Sequence, residues 1–223
     1  MRDDLTIMYI SASRVPSHWR KFQITHLLEA ADGAPIISVT HQPLNLGFNL
    51  VYSGPVAYWS IYQQMLMAAQ TATTPFVAMA EDDVLYSHSH YHEFRPPMDT
   101  VAYNTCRWSL CTDDDFYNYK CRRSNESLIA PREYLIDALQ ERSAKWPAPN
   151  SLVGEVGRAD SKLGVSRRNS MEFQSKVPNV KLDHPNGVDS CDYPNGLSKK
   201  RGRIRAYDIP HWGRASDILK EYR

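Results

Sequence analysis

The first eighty residues alternate between short apolar runs and segments of helical periodicity, and this leaves few architectures open. Residues 5–10 (LTIMYI) form an apolar run rich in β-formers that ends at the polar Ser11, Ala12, Ser13 and Arg14. Pro16 and Ser17 then open a helical pattern in which Trp19, Phe22, Ile24, Leu27 and Leu28 share a face, and Gly33 closes it. Residues 35–40 (PIISVT) read as a second buried strand, and the punctuated segment HQPLNLGFN as a loop. A helix over residues 56–71 and a further apolar run, residues 75–80 (PFVAMA), complete the series. Strand, helix, strand, helix, strand predicts an α/β fold: a Rossmann-like, mixed but mostly parallel central sheet with helices on both faces. A length of 223 residues suits a single domain, and it buries a core without disulfides.

The character changes after residue 80. Residues 101–110 and 115–120 read as strands, 127–130 as a short strand, and 131–144 as a helix with Pro131 in its first turn. Trp146 to Asn150 (WPAPN) breaks the chain. Weak periodicity beyond it predicts loops around short elements, with a terminal helix over 215–222. No stretch approaches eighteen apolar residues, so no membrane span is expected. The start, MRDD, lacks the pattern of a secretion signal, and the expectation is a cytoplasmic protein, in the host cytoplasm if viral. Cys106, Cys111, Cys121 and Cys191 contain no C-x-x-C pair, so a zinc ribbon is poorly supported. The ordinary reading is reduced thiols, with a hairpin-borne metal cluster of the first three as the rarer one.

The strongest chemical signal is Glu81-Asp82-Asp83, directly after the run at 75–80. In open α/β sheets ligands bind beyond the carboxyl ends of the strands. Three adjacent carboxylates there repel one another unless a cation neutralises them, and Mg²⁺ or Mn²⁺ bridges such carboxylates to substrate phosphates. The spacing Glu81-x-Asp83 puts two carboxylates on one side of an extended backbone. A solvated acidic turn is the plain alternative.

The strand order and residues 76–86 (FVAMAEDDVLY) resemble the GT-A-fold glycosyltransferases (family A/2-like), in which a D-x-D-like motif ends the nucleotide-binding half. More narrowly, residues 81–97 (EDDVLYSHSHYHEFRPP), 178–186 (PNVKLDHPN) and 209–213 (IPHWG) are similar to small bacterial and phage glycosyltransferases. The resemblance implies residues 1–100 as a nucleotide-sugar-binding half, and 101–223 as an acceptor-binding half with a C-terminal lid. It implies Asp83 as metal ligand, Glu81 as a second ligand or ribose contact, and Asp82 in either role. A late histidine completes the metal shell, His184 or His211, with His184 in the better-matching segment. It further implies Ser11, Arg14 and Gln42 as nucleotide contacts, beside a Pro43…Gly47 pattern, and Glu155 as catalytic base. The cofactor is then Mn²⁺ or Mg²⁺ and the donor a nucleoside-diphosphate sugar, UDP-sugar foremost.

Several features stay open on sequence alone. His88, His90 and His92 would share one face of a strand and resemble a metal cluster, though the family pattern accounts only for His90. Asp113, Asp114 and Asp115 are a second source of a base, or a hairpin turn. The basic run at residues 199–205 (KKRGRIR) reads as a solvated stretch, a lid over the diphosphate, or a track for a nucleic-acid backbone. The acceptor is a glycan, a protein, a small molecule or a hydroxymethylated DNA base of a phage. Rival functions are a nucleotidyltransferase acting on sugar phosphates and a non-catalytic nucleic-acid-binding protein. The first lacks a glycine-rich phosphate loop with a lysine after strand one, and a formal net charge of +1 disfavours the second.

Overall fold

A computed structural model describes residues 4–147, 154–187 and 202–223 of the protein. The chain opens with β1 (Leu5–Ser11), α1 (Ser17–Ala31), β2 (Ile36–Thr40), β3 (Phe48–Val51), α2 (Tyr58–Thr71) and β4 (Phe76–Glu81). It continues through β5 (Val84–Leu85), α3 (His88–His92), β6 (Thr100–Asn104), β7 (Arg107–Cys111) and β8 (Tyr117–Tyr119). A 3-10 turn (Asn125–Ser127) leads into β9 (Leu128–Pro131), α4 (Arg132–Lys145), α5 (Asp160–Leu163), β10 (Asn169–Phe173) and β11 (Asn179–Asp183). The last elements are β12 (Arg205–Ala206), β13 (Asp208–Ile209), β14 (Gly213–Arg214) and α6 (Ala215–Lys220).

The main sheet has the order β10-β6-β9-β4-β1-β2-β3. Only β9 runs antiparallel to its neighbours in it, so the α/β class with a mostly parallel sheet is as expected. Side chains alternate along β1: Met8 and Ile10 join the core under α2 and α4, while Leu5, Ile7 and Tyr9 join the core under α1 and α3. Covered on both faces, β1 is apolar almost throughout, as parallel strands are. The chain winds from β1 outward through β2 and β3, then returns to place β4 on the other side of β1. That reversal is the switch point at which open sheets bind ligands.

A second sheet, β12-β8-β7-β11-β5, begins beside β4 of the first, because β5 follows β4 after only Asp82 and Asp83. One face of it is apolar: Trp108, Leu110, Tyr117, Val180 and Leu182 pack with Val15, Trp19 and the α6 residues Ile218 and Leu219. The other face carries the buried polar residues Arg107, Ser109, Asn118, Lys181 and Asp183. No helix among the described residues is long and apolar enough to cross a membrane.

Several expectations change. The segment taken as a loop after β2 contains β3, seated by Gly47, whose φ of +58° and close approach (an added Cβ would lie 2.1 Å from the Ile36 carbonyl oxygen) exclude a side chain. Residues 101–110 are two strands in two different sheets. Leu28 is 52% exposed, since α1 turns Gln23 and Ala30 inward instead. The histidines His88, His90 and His92 lie on a helix, so only His90 is buried, and they form no common face. Beyond residue 150 the predicted loops include β10 and β11. Parts of WPAPN and the basic run, residues 148–150 and 199–201, lie outside the described residues, as does Cys191.

The loop carrying Glu155 is fixed by a buried ion pair. Arg142 of α4 binds the Asp160 carboxylate and donates to the carbonyls of Gly154 and Glu155, while Asp160 also accepts from the backbone nitrogens of Gly157 and Arg168. Both side chains are less than a tenth exposed. Asp160→Ala strands the guanidinium in the interior and is expected to lower the unfolding free energy by about 3–5 kcal/mol. Urea denaturation measures it, and a loss below about 1 kcal/mol would mean that the pair does not hold this loop.

Candidate functional site

The acidic triplet is the first joint between the two sheets, and its backbone is held from three sides. Helix α1 sends Trp19 Nε1 to the Asp82 carbonyl (2.9 Å) and Gln23 Nε2 to the carbonyls of Glu81 (3.2 Å) and Val84 (2.9 Å). From β11, the Leu182 amide donates to the Asp83 carbonyl (2.7 Å). From below, the Tyr86 hydroxyl accepts from the Glu81 amide (3.0 Å) and donates to the Glu126 carbonyl (2.8 Å). Trp19, Gln23 and Tyr86 are each 1% exposed, so these bonds form out of water's reach.

With the backbone fixed, the three carboxylates part. Asp82 turns to the end of β1, where the Ser11 hydroxyl donates to it and accepts in turn from the Ser13 amide (2.8 Å). Glu81 and Asp83 both face β11. Lys181 Nζ lies 3.0 Å from Asp83 Oδ2 and 3.3 Å from Glu81 Oε2, and His184 Nε2 lies 3.8 Å from Asp83 Oδ2. Asp83 Oδ1 is buried and has no hydrogen-bond partner. Such an atom is costly to leave unsatisfied. Two carboxylates, one of them with an unsatisfied oxygen, and an imidazole nitrogen fit a divalent cation such as Mn²⁺ or Mg²⁺.

These groups open onto a cleft with a cavity volume of 190 Å³, lined from both halves of the chain. Arg14, His41, Val56 and Tyr58 contribute from the ends of β1, β2 and the start of α2; Arg122, Glu126, Glu155, Lys181, His184 and Asn186 contribute from the later half. Glu126 is paired with Arg107 and accepts from the Ser124 hydroxyl. Burial pushes its carboxyl up, but Arg107, Lys181 and the Ser124 hydrogen bond outweigh that and hold it down at about 2. Glu81 is pushed up to about 8, chiefly by burial; Lys181 opposes the shift, while Asp83 and Glu126 add to it. Asp82 rises to about 6 through burial and the Asp83 charge, with the Ser11 bond working against it. Burial, then Glu155 and Glu81, raise the Tyr58 hydroxyl to about 12.

The structure therefore gathers Glu81, Asp82, Asp83, Arg14, Glu155 and His184 at one cleft. Ser11 reaches it only through Asp82 and is not among the lining residues. Gln42 is exposed and is not among the lining residues, though its neighbour His41 is. His211 is exposed in the β13–β14 hairpin at φ +75°, edge-on to Trp212 with ring centroids 4.7 Å apart, also outside the lining set. Asp114 closes a turn onto the Cys111 carbonyl (3.0 Å), so the aspartate run is a hairpin turn. Among the described residues, Cys111, Asp113 and Asp114 bring ligand atoms within 4.8 Å of one another, in place of a three-cysteine cluster. The sequence reading missed Lys181, Glu126 and Arg107. The alternation of polar 179, 181 and 183 with apolar 180 and 182 marks a strand with a polar face and would have flagged Lys181. Nothing local flags Glu126, whose partner Arg107 lies nineteen residues earlier.

No protein-family model matches the chain, and no curated protein matches it. Solved structures similar to it include a mannosyltransferase from Pyrobaculum calidifontis, in complex with GDP-Man and Mn²⁺: 11% identity, 99% of this chain and 69% of that chain covered, TM-score 0.49. Others are a nucleotidyl transferase from Methanothermobacter (13%, 88% and 97%, 0.48) and a Drosophila β-1,4-galactosyltransferase 7 mutant in complex with manganese, UDP-Gal and xylobiose (10%, 96% and 79%, 0.43). Likeness at this level leaves the chemistry to the chain's own geometry.

An acid whose folded pKa lies above its unfolded value binds its proton more tightly when folded. Glu81 thus contributes stability below its unfolded value near 4.5 and loses that contribution as pH rises through about 8. In metal-free buffer, the melting temperature of Glu81→Gln is expected to fall less steeply than that of the native chain between pH 5 and pH 9. Parallel melting curves would show that Glu81 does not titrate in this window.

Proposed function

We propose that the protein is a metal-dependent glycosyltransferase, moving a sugar from a nucleoside-diphosphate sugar, UDP-sugar foremost, to an acceptor hydroxyl. The observation that carries this reading is Asp83: a buried carboxylate with one unsatisfied oxygen, beside His184, at the carboxyl end of the strand next to the switch point. Asp83 and His184 would hold Mn²⁺ or Mg²⁺, with the Glu81 carboxylate as a further ligand. When bound, the ion supplies Lewis-acid stabilisation for charge on the departing diphosphate.

The chain's own groups do the rest. Arg14 and His41, at the ends of β1 and β2, line the wall where residues 1–100 receive the nucleotide. Glu155 lines the opposite wall, steadied through its backbone by Arg142, and Arg158 lies 3.4 Å from its carboxylate. It is the group placed to accept the proton of an acceptor hydroxyl bound by residues 101–223. Glu126, held ionised by Arg107, is a poor base; its fixed negative charge instead complements the positive charge that develops on a sugar ring. The acceptor is a glycan, a protein, a small molecule or a hydroxymethylated DNA base.

The test is a panel of nucleotide sugars with Mn²⁺, assayed separately for nucleoside diphosphate and for pyrophosphate. Nucleoside diphosphate release, abolished by chelator and reduced at least about 100-fold in Asp83→Asn, is expected, because a lost metal ligand removes several kcal/mol of charge stabilisation. Pyrophosphate release from a nucleoside triphosphate and a sugar phosphate would replace glycosyl transfer with nucleotidyl transfer. Activity equal in Asp83→Asn and the native chain would end the metal reading.

A further inference from the structure

Lys181 stands where a second cation has no room. Its ammonium lies between the two carboxylates that face β11, 3.0 Å from one and 3.3 Å from the other. The side chain is 11% exposed, and its backbone is fixed in register between Val84 of β5 and Ser109 of β7. A divalent ion sits about 2.1 Å from a ligand oxygen. An ion on Asp83 would therefore lie within a few ångströms of the ammonium, two positive charges against one carboxylate in a site largely closed to water. The lysine's four-carbon stem lets the charge move while β11 stays paired. Lys181 is itself a lining residue of the cleft, so open space adjoins its side chain there.

We propose that Lys181 is a built-in counter-cation that competes with the divalent ion for the Glu81–Asp83 pair, and that ion entry drives its ammonium into the cleft, where it positions the departing diphosphate. The inference rests on the metal-dependent reading above. It accounts for a feature that reading leaves unexplained, a lysine aimed at the metal ligands themselves. In the ion-free protein the ammonium spares Asp83 the cost of an uncompensated buried charge. In the loaded protein the same charge is released on the side from which a polyanionic substrate enters. An ordinary structural salt bridge makes the opposite forecast for metal: removing the lysine would loosen the joint and weaken the site.

Mn²⁺ binding to the full chain, without nucleotide, is measured by electron paramagnetic resonance and calorimetry at pH 8.5 for the native protein, Lys181→Met, Lys181→Arg and Asp83→Asn. Lys181→Met is expected to bind Mn²⁺ about tenfold more tightly than the native chain, in the usual range for coupling between two sites. Lys181→Arg, which keeps the charge, is expected to stay near native affinity. Because Lys181→Met destabilises the ion-free fold, melting temperatures with and without Mn²⁺ provide a second measurement, and the ion is expected to raise that of Lys181→Met by more. Affinity in Lys181→Met equal to or below native overturns the competition and leaves the metal reading standing. No Mn²⁺ binding by either protein up to millimolar concentration overturns both. At saturating Mn²⁺ and donor, turnover of Lys181→Met is expected to fall at least about tenfold with a smaller change in KM; unchanged turnover overturns the role at the diphosphate.

Discussion

The chain first crosses from one sheet to the other at Asp82 and Asp83, and the grip of α1 on that crossing is what the site depends on. A turn as short as Asp82-Asp83 cannot satisfy its own carbonyls with helix or ladder bonds. Trp19 and Gln23 supply the donors instead, and Leu182 supplies the one from β11. A buried acceptor left without its donor costs about 1–3 kcal/mol, so the joint has little freedom to pivot. The direction in which three carboxylates point is set by an indole, an amide and a strand, none of them chemically reactive.

The same rigidity explains how so much negative charge shares one cleft. Glu81, Asp82, Asp83, Glu126 and Glu155 all line it. Four of the five are managed in four ways: Asp82 by a hydroxyl, Glu126 by a guanidinium, Asp83 by an ammonium, and Glu81 by keeping its proton up to about pH 8. Neighbouring acids of one residue type thus acquire distinct protonation states from environment alone. A cation at Asp83, as proposed, would meet a site already divided into groups that hold charge and groups that can give up a proton.

Much of this was legible in the sequence, for a physical reason. Strands covered on both faces must be apolar, so β1, β2 and β4 announce themselves, and the triplet stands out against the run that precedes it. His184 was reached through the resemblance of its segment, and the structure sets it 3.8 Å from Asp83. Elsewhere the local signal fails. β3 is only four residues long and partly exposed, so it reads as loop. Residues 101–110 look like one strand because a change of sheet between Asn104 and Arg107 leaves no trace in periodicity. The bond from the Ser11 hydroxyl to Asp82 spans seventy-one residues and is likewise not visible locally. Glu126 gains its character from Arg107, across a distance that no pattern of neighbours records.

The pairing of β5 with β11 also has a consequence in time. Ninety-eight residues separate Asp83 from Lys181. At ribosomal speeds of about 5–20 residues per second, the acids emerge about 5–20 s before their counter-charge. During that interval β5 has no partner strand, and the joint stays hydrated rather than buried. Closure of the second sheet is therefore the step that removes these acids from water, and a nascent chain released short of β11 would carry a nearly complete first sheet with no working centre.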